Sequence, residues 1–271
     1  MDSFLQLLVN SEEKNIQENI KRCWNLNTVI EVHNLVKEFN GCKILDNVSF
    51  NVDRGEVFGY LGPNGAGKTT TLRILLGLIK PTSGEVFVLG ENPLDNSKLR
   101  MKIGVLLEDN GLYNSLTAYE NLDLYARLYG LANAVERRRR IIELLDFIGL
   151  YERRDDKVGY LSRGMKRKLA IARAILHHPE IVFMDEPTSN LDPKTRVLIR
   201  DLILELAHEE KTTMFIISHN LNDVEKVCSS VAILVNGRII ARGPIDELKK
   251  QIIGRELAEV SLEDVYMKIV R

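Results

Sequence analysis

The sequence predicts an α/β fold in which a largely parallel β-sheet is covered by helices on both faces. Short apolar runs alternate with helix-like segments, and the runs that predict core strands are 57–61, 181–184, 214–217 and 231–234. A glycine-rich loop follows the first of these strands and leads into a helix. A pair of acidic residues directly follows the second strand. These three observations together predict a nucleotide-binding α/β domain.

The glycine-rich loop matches the phosphate-binding pattern G-x-x-x-x-G-K-S/T at every fixed position. Its residues are Gly62, Pro63, Asn64, Gly65, Ala66, Gly67, Lys68 and Thr69, followed by Thr70. The glycines allow a tight turn that aims backbone amides at an anion, and the helix predicted over 69–78 adds its positive N-terminal end. We expect Lys68 to contact the β- and γ-phosphates and the Thr69 hydroxyl to bind Mg²⁺.

The acidic pair is Asp185 and Glu186, which come directly after four apolar residues. A surface acidic pair is the alternative, but the apolar run predicts that a buried strand carries these carboxylates to the sheet edge. We expect Asp185 to hold Mg²⁺, in part through water. Glu186 is then placed to act as a general base on the water that attacks the γ-phosphate.

The composition is that of an ordinary globular protein, with 271 residues, 45% hydrophobic and 28% charged, and a formal net charge of -1. This balance gives no reason to expect nucleic acid as a partner. The cysteines, Cys23, Cys42 and Cys228, are scattered and odd in number, which argues against a disulfide framework and favours a reducing, cytoplasmic setting. The sequence contains no run near the roughly 20 apolar residues that a membrane-spanning helix needs. A membrane role would therefore require a partner chain.

The chain divides into three predicted parts: an N-terminal helical extension over 1–27, a main domain over 28–245 and a C-terminal helical tail over 246–271. Within the main domain, residues 98 to about 160 are predicted to be mostly helical. The basic run 137–140 follows Glu136 on such a helix, and we expect it to be a solvent-exposed face.

Further motifs resemble those of the ATP-binding cassettes of ABC transporters. Leu161-Ser162-Arg163-Gly164-Met165 stands upstream of Asp185, where that family carries its signature Leu-Ser-Gly-Gly-Gln. Segment 189–192 resembles the D-loop of the family, His219 its switch histidine, and Phe39 the aromatic residue that stacks on adenine. The resemblance covers about residues 29–245.

This resemblance implies a P-loop NTPase (RecA-like) parallel-sheet core with an antiparallel β subdomain and an inserted α-helical subdomain at about 98–160. It implies ATP and Mg²⁺ as cofactors and His219 as a catalytic residue. Ser162 begins a predicted helix, so its hydroxyl, with Gly164 and the following amides, forms a second anion site. One nucleotide does not need two such sites from one chain. The resemblance resolves this by placing ATP between two subunits in a head-to-tail homodimer or cassette heterodimer.

The chain departs from the family at two places. The signature has Arg163 and Met165 in place of glycine and glutamine. Glu108 stands where the family has the glutamine of its Q-loop, and a carboxylate there is still able to bind Mg²⁺ but adds negative charge near the phosphates.

The function implied by the resemblance is that of an ATPase subunit that powers a separate transmembrane permease from the cytoplasmic face of the membrane. Segment 260–266 resembles the ending of cassettes that serve drug, lipid or antibiotic exporters. The alternatives are a soluble ABC ATPase that acts on ribosomes or nucleic acid and a small-molecule phosphotransferase. The second leaves Ser162 and His219 without a purpose.

Overall fold

The computed structural model of the protein describes residues 27–209, 212–253 and 260–270. The predicted N-terminal helical extension therefore lies outside the described residues, apart from residue 27. The strands are β1 Thr28–Phe39, β2 Cys42–Asp53, β3 Val57–Leu61, β4 Ser83–Val88, β5 Ile103–Leu106, β6 Ile181–Asp185, β7 Thr213–Ser218, β8 Ser230–Val235 and β9 Arg238–Pro244. The α-helices are α1 Lys68–Leu75, α2 Ala118–Leu128, α3 Ala134–Phe147, α4 Arg163–Ile175, α5 Pro193–Glu209, α6 Leu221–Val227, α7 Ile245–Ile253 and α8 Leu262–Val270.

The larger sheet has the strand order β5-β6-β7-β3-β8-β9, and all neighbouring pairs are parallel except β8 with β9. Strands β3 and β7 are buried along their whole length, and β6 is buried up to its last residue. Such continuous burial is typical of parallel strands that are covered on both faces. The four apolar runs that predict core strands therefore lie side by side in this sheet.

The smaller sheet is antiparallel, with the order β2-β1-β4, and Asn40 and Gly41 form the tight turn between β1 and β2 with positive φ at both residues. Aromatic rings join it to the larger sheet. Phe50 of β2 contacts Phe58, Tyr60 and Phe215 of β3 and β7 at centroid distances of 5.7, 5.3 and 5.9 Å. The two sheets therefore share one hydrophobic core beneath the loop that follows β3.

The helical region lies mainly between β5 and β6. Helix α2 begins with a capping box formed by Thr117 and Glu120, and α3 begins at the side-chain cap of Asn133. The apolar stripe of α3, Ile141, Leu144, Leu145 and Ile148, is buried in the core that it shares with α4.

The structure differs from the local predictions at three places. Residues 103–106, within the region predicted to be mostly helical, form β5. A four-residue apolar run is too short for its periodicity to distinguish a strand from a helix. Helix α1 ends at Leu75, since Gly77 adopts a φ of +64° and the amides of Gly77 and Leu78 bond to earlier carbonyls in a Schellman arrangement. Arg137 is not solvent-exposed: it is buried, its Nε donates to Asp123, and its Nη1 donates to the carbonyls of residues 131 and 132.

Helices α7 and α8 at the end of the described chain pack near α6, where Leu262 N donates to the carboxylate of Glu225 at 2.9 Å. None of the described helices combines the length and the apolarity that crossing a membrane requires.

The aromatic cluster predicts a large loss of stability on truncation. Phe215 is fully buried, so Phe215→Ala leaves a cavity between the two sheets and should lower the free energy of unfolding by about 3–5 kcal/mol. Urea denaturation measures this change. The control is Tyr160→Ala, because Tyr160 is 83% exposed and its loss should cost little. Equal losses in the two variants would contradict the proposed role of the cluster.

Candidate active site

The glycine-rich loop connects the buried strand β3 to helix α1. Gly65 and Gly67 have φ angles of +80° and +110°, a region that residues with a side chain rarely adopt. A Cβ at Gly62 would lie 2.2 Å from the carbonyl oxygen of Leu234, so the loop runs against β8 where only glycine fits. Helix α1 then begins at Lys68 with its first amides free of intrahelical partners, which is the arrangement that binds phosphate.

Lys68 is held inside this loop. Its ammonium donates to the carbonyls of Gly62 at 2.7 Å and Pro63 at 3.0 Å, and the residue is only 7% exposed. Burial lowers the pKa of Lys68, and the negative charges of Glu186 and Asp185 oppose that shift. Thr69 and Thr70 follow it at the start of the helix, and Thr69 is exposed.

The sheet register brings the acidic pair to the same edge as the loop. Leu61 of β3 pairs with Ser218 of β7, and Asp185 of β6 pairs with the neighbouring Ile217. The three strands run parallel, and this register places their last residues at the same edge of the sheet. Burial chiefly raises the pKa of Asp185, and the charges of Glu186 and Glu108 raise it further.

Glu186 and His219 are in direct contact. His219 Nδ1 lies 2.7 Å from Glu186 Oε1, and the His219 amide donates to the same oxygen at 3.0 Å. Ser218 Oγ donates to Oε2 at 3.3 Å. Because a carboxylate only accepts hydrogen bonds, Nδ1 carries the proton in this contact. The carboxylate is thus held in one orientation by the last residue of β7 and the residue that follows it.

A polar cavity of about 400 Å³ joins these groups. Its lining comprises Asn64, Glu108, Glu186, Thr188, Ser189, Asn190, Arg196, His219 and Asn220. The structure therefore brings Glu108, which follows β5, together with Glu186, His219 and the phosphate loop. Glu108 is close enough for its charge to affect the pKa of Asp185.

The signature residues lie elsewhere. Ser162 caps α4, its Oγ accepting from the Met165 amide at 3.3 Å, and both Ser162 and Gly164 are absent from the lining of the cavity above. Gly164 lies close to α5. A Cβ at this position would stand only 2.6 Å from the methyl carbon of Thr195. The capped end of α4 therefore does not line the cavity that contains Glu186 and His219.

Phe39 lies at the end of β1 and does not line this cavity. Its ring is 44% exposed, and the Lys37 ammonium lies 4.6 Å from its centroid. The exposed part of the ring is available for stacking on a base.

The role of Arg167 was not predicted from the sequence. This residue is 4% exposed and donates to main-chain oxygens on both sides of the cavity, including that of Glu186 at 2.7 Å. The available signal was its position in α4, where it falls on the same stripe as the buried Ile171 and Ala174. A charged residue on the apolar stripe of a helix needs partners in the interior.

The comparisons with known proteins agree with this geometry. The sequence profile described as ABC transporter matches residues 45–189, more than half of the chain. The bacitracin transport ATP-binding protein BcrA of Bacillus licheniformis is 42% identical over 90% of this chain and 78% of its own length. The Nod factor export ATP-binding protein I of Ralstonia nicotianae is 39% identical over 88% of this chain and 74% of its own length.

The chain belongs to the ABC transporter family. It is similar to a solved structure of an ATP-binding subunit of an ABC transporter, with a TM-score of 0.78, 33% identity and coverage of 90% of this chain and 100% of that one. The ATP-binding cassette MJ0796, solved as a dimer in a post-hydrolysis state with ADP and phosphate, matches with a TM-score of 0.71 and 31% identity over 79% of this chain and 98% of its own. The predicted fold, family and ATP-hydrolysing activity are confirmed. The roles of individual residues stay predictions.

The cassette offers donors that suit Mg²⁺. Oxygen ligands are what this ion prefers, and Thr69, Asp185 and Glu108 supply a hydroxyl and two carboxylates near the phosphate loop. No group of three or more His, Cys, Asp or Glu side chains in the described ranges is arranged to hold a metal alone. A site completed by nucleotide phosphates fits both facts, since Mg²⁺ is usually bound by one or two carboxylates together with phosphate.

Lys68→Ala should weaken ATP binding to the cassette by at least about tenfold, because it removes the cation that charge-assisted contacts to phosphate require. Isothermal titration with ATP measures the affinity. Lys250→Ala, an exposed lysine on α7, is the control and should bind ATP like the wild type. Unchanged affinity of Lys68→Ala would contradict the assignment of the loop.

Proposed function

We propose that the cassette powers a separate transmembrane permease, for export, by hydrolysing ATP between two subunits that associate head to tail. The observation that carries this proposal is the division of the site. The cavity lined by Asn64, Glu186 and His219 does not include Ser162, which caps the N-terminus of α4. A helix N-terminus of this kind favours an anion, which supports a role for Ser162 at the nucleotide of a second subunit. A second subunit, turned to oppose them, completes two identical sites.

Each predicted residue has a role in this scheme. Phe39 stacks on adenine, the loop of residues 62–70 surrounds the phosphates, and Ser162 with Gly164 of the partner closes the site on the γ-phosphate. Thr69, Asp185 and Glu108 hold Mg²⁺, directly or through water. This ion, when bound, neutralises charge that develops on the phosphates.

Glu186 acts as the general base for the attacking water. Its contact with His219 fixes the carboxylate, and the imidazole is 56% exposed at the cavity. His219 is therefore placed to contact the γ-phosphate and orient the water. These positions support an in-line attack in which the water loses its proton to Glu186.

An apolar groove supports docking of the membrane partner. It has a volume of about 380 Å³ and lies between α2, β5 and the end of α1. Leu78, Met101, Leu107 and Leu128 line it with exposed fractions of 58%, 44%, 43% and 65%. Apolar side chains exposed together are typical of a protein interface. Docking there would hold the cassette at the cytoplasmic face of the membrane.

Export is supported by the relatives, which are named for bacitracin transport and for Nod factor export. The alternative of a ribosomal or nucleic-acid partner has less support. The basic run 137–140, the candidate surface for a nucleic-acid partner, is partly engaged within the chain, since Arg137 is buried and Arg140 donates to the carbonyls at the end of α4.

Glu186→Gln should bind ATP normally but hydrolyse it at least about 10²-fold more slowly, because the amide cannot accept the proton of the attacking water. The slow variant should accumulate as an ATP-bound dimer. Light scattering after gel filtration with ATP measures its mass. A variant that stays monomeric with ATP, or turns over at the wild-type rate, would count against both roles.

Mixing two inactive variants tests the divided site. Ser162→Arg places bulk and charge against the γ-phosphate of the partner's nucleotide but leaves Lys68 intact, so it should bind ATP and lose turnover. A heterodimer with Lys68→Ala contains one site with both defects and one site with none. Activity should therefore return on mixing, as measured by phosphate release.

The matched control mixes Lys68→Ala with Glu186→Gln. Lys68 and Glu186 both belong to the half of the site that holds the phosphate loop. Each of the two sites in the heterodimer therefore contains one defect, and no activity should return. Full activity of Ser162→Arg alone, or recovery in the control mixture as large as in the test mixture, would overturn the head-to-tail assignment.

A further inference from the structure

Arg167 is a buried arginine whose guanidinium contacts two loops of the active site. It lies in the second turn of α4, three residues after Gly164, and is 4% exposed. Burial lowers its pKa to about 10, and the negative charges of Asp185, Glu108 and Glu186 oppose that shift. A charge buried to this degree is retained only where its hydrogen bonds are satisfied.

The guanidinium binds the chain that carries the acidic pair. Nη2 donates to the carbonyl of Asp185 at 2.9 Å and to that of Glu186 at 2.7 Å. Nε donates to the carbonyl of Pro187 at 2.9 Å. Three successive main-chain oxygens are thus held by one planar group.

The same guanidinium binds the loop that carries Glu108. Nη1 donates to the carbonyl of Leu107 at 2.7 Å and to Asn110 Oδ1 at 3.1 Å. These two residues flank Glu108 in the sequence. One side chain therefore fixes the distance between the main chain at Glu108 and the main chain at Glu186.

Glu186 needs this support because its backbone is strained. Its φ is +49°, in the left-handed region, which is uncommon for a residue other than glycine, asparagine or aspartate. Such a conformation persists only when surrounding contacts impose it. The main-chain contacts include the Glu186 amide, which donates to Ile217 O at 2.9 Å, and the Glu186 carbonyl, which accepts from Arg167 at 2.7 Å and from the Ser189 amide at 3.2 Å.

We propose that Arg167 is a positioning residue for ATP hydrolysis, holding Glu186 in its left-handed conformation and the Glu108 loop at a fixed distance from it. This inference rests on the proposed role of Glu186 as general base. Arg167 acts through the main chain and contributes to turnover rather than to nucleotide affinity, because Lys68 and the phosphate loop lie outside its hydrogen bonds.

Arg167→Lys and Arg167→Met, made in the full chain, separate geometry from charge. Lysine keeps the positive charge but lacks the planar fork, so it cannot bind all five oxygens. We expect unchanged ATP affinity and a kcat reduced about 10²-fold in both variants, the lower range of what a placed general base contributes. Titration with ATP gives the affinity, and initial rates at saturating ATP give kcat.

Arg137→Lys and Arg137→Met are the matched controls. Arg137 is also buried and also binds two carbonyls, but these belong to the segment before α3 and not to the site. The controls should lose thermal stability to a similar extent and keep kcat. If Arg167→Met fails to fold, Arg167→Lys carries the test.

A kcat within about twofold of the wild type in Arg167→Lys would overturn the proposal, because charge alone would then suffice. A loss of ATP affinity equal to the loss of kcat, or an equal loss of kcat in the Arg137 controls, would also overturn it, since either result indicates general damage. A wild-type chain that neither binds nor hydrolyses ATP would instead contradict the proposed function, and so the two failures are distinguishable.

Discussion

The active site depends on the register of three parallel strands. Strand β7 lies between β3 and β6, and its last residues pair with the last residues of both neighbours. The phosphate loop follows β3, the acidic pair stands at the end of β6 and His219 follows β7, so these groups meet at one edge. A slip of a strand by one residue would turn its buried side chains to the opposite face, so the core beneath the loop also fixes the geometry of the site.

At this edge of the sheet the carboxylates outnumber the cations that interact with them. Three carboxylates, at Glu108, Asp185 and Glu186, face the cations Lys68 and Arg167. The raised pKa of Asp185 reflects burial together with this crowding of negative charge. A nucleotide brings further negative charge, which makes a divalent cation the natural complement of the site.

Sequence patterns predicted the order of the core strands along the chain, the phosphate loop and the acidic pair, because each depends on local residue types. They did not predict β5, whose four residues carry no distinguishing period, nor the antiparallel return of β9. Arg167 was missed for a different reason. Its partners stand 18 to 60 residues away in the sequence, and only the packed fold shows that one guanidinium reaches both segments.

Leu107 belongs to two surfaces at once. Its side chain lines the apolar groove, while its carbonyl oxygen is bound by Arg167 behind the cavity of Glu186. The next residue, Glu108, lines the cavity that contains Glu186, so consecutive residues line the groove and the cavity. A ligand bound in the groove would therefore contact the neighbour of Glu108 without occupying the nucleotide site.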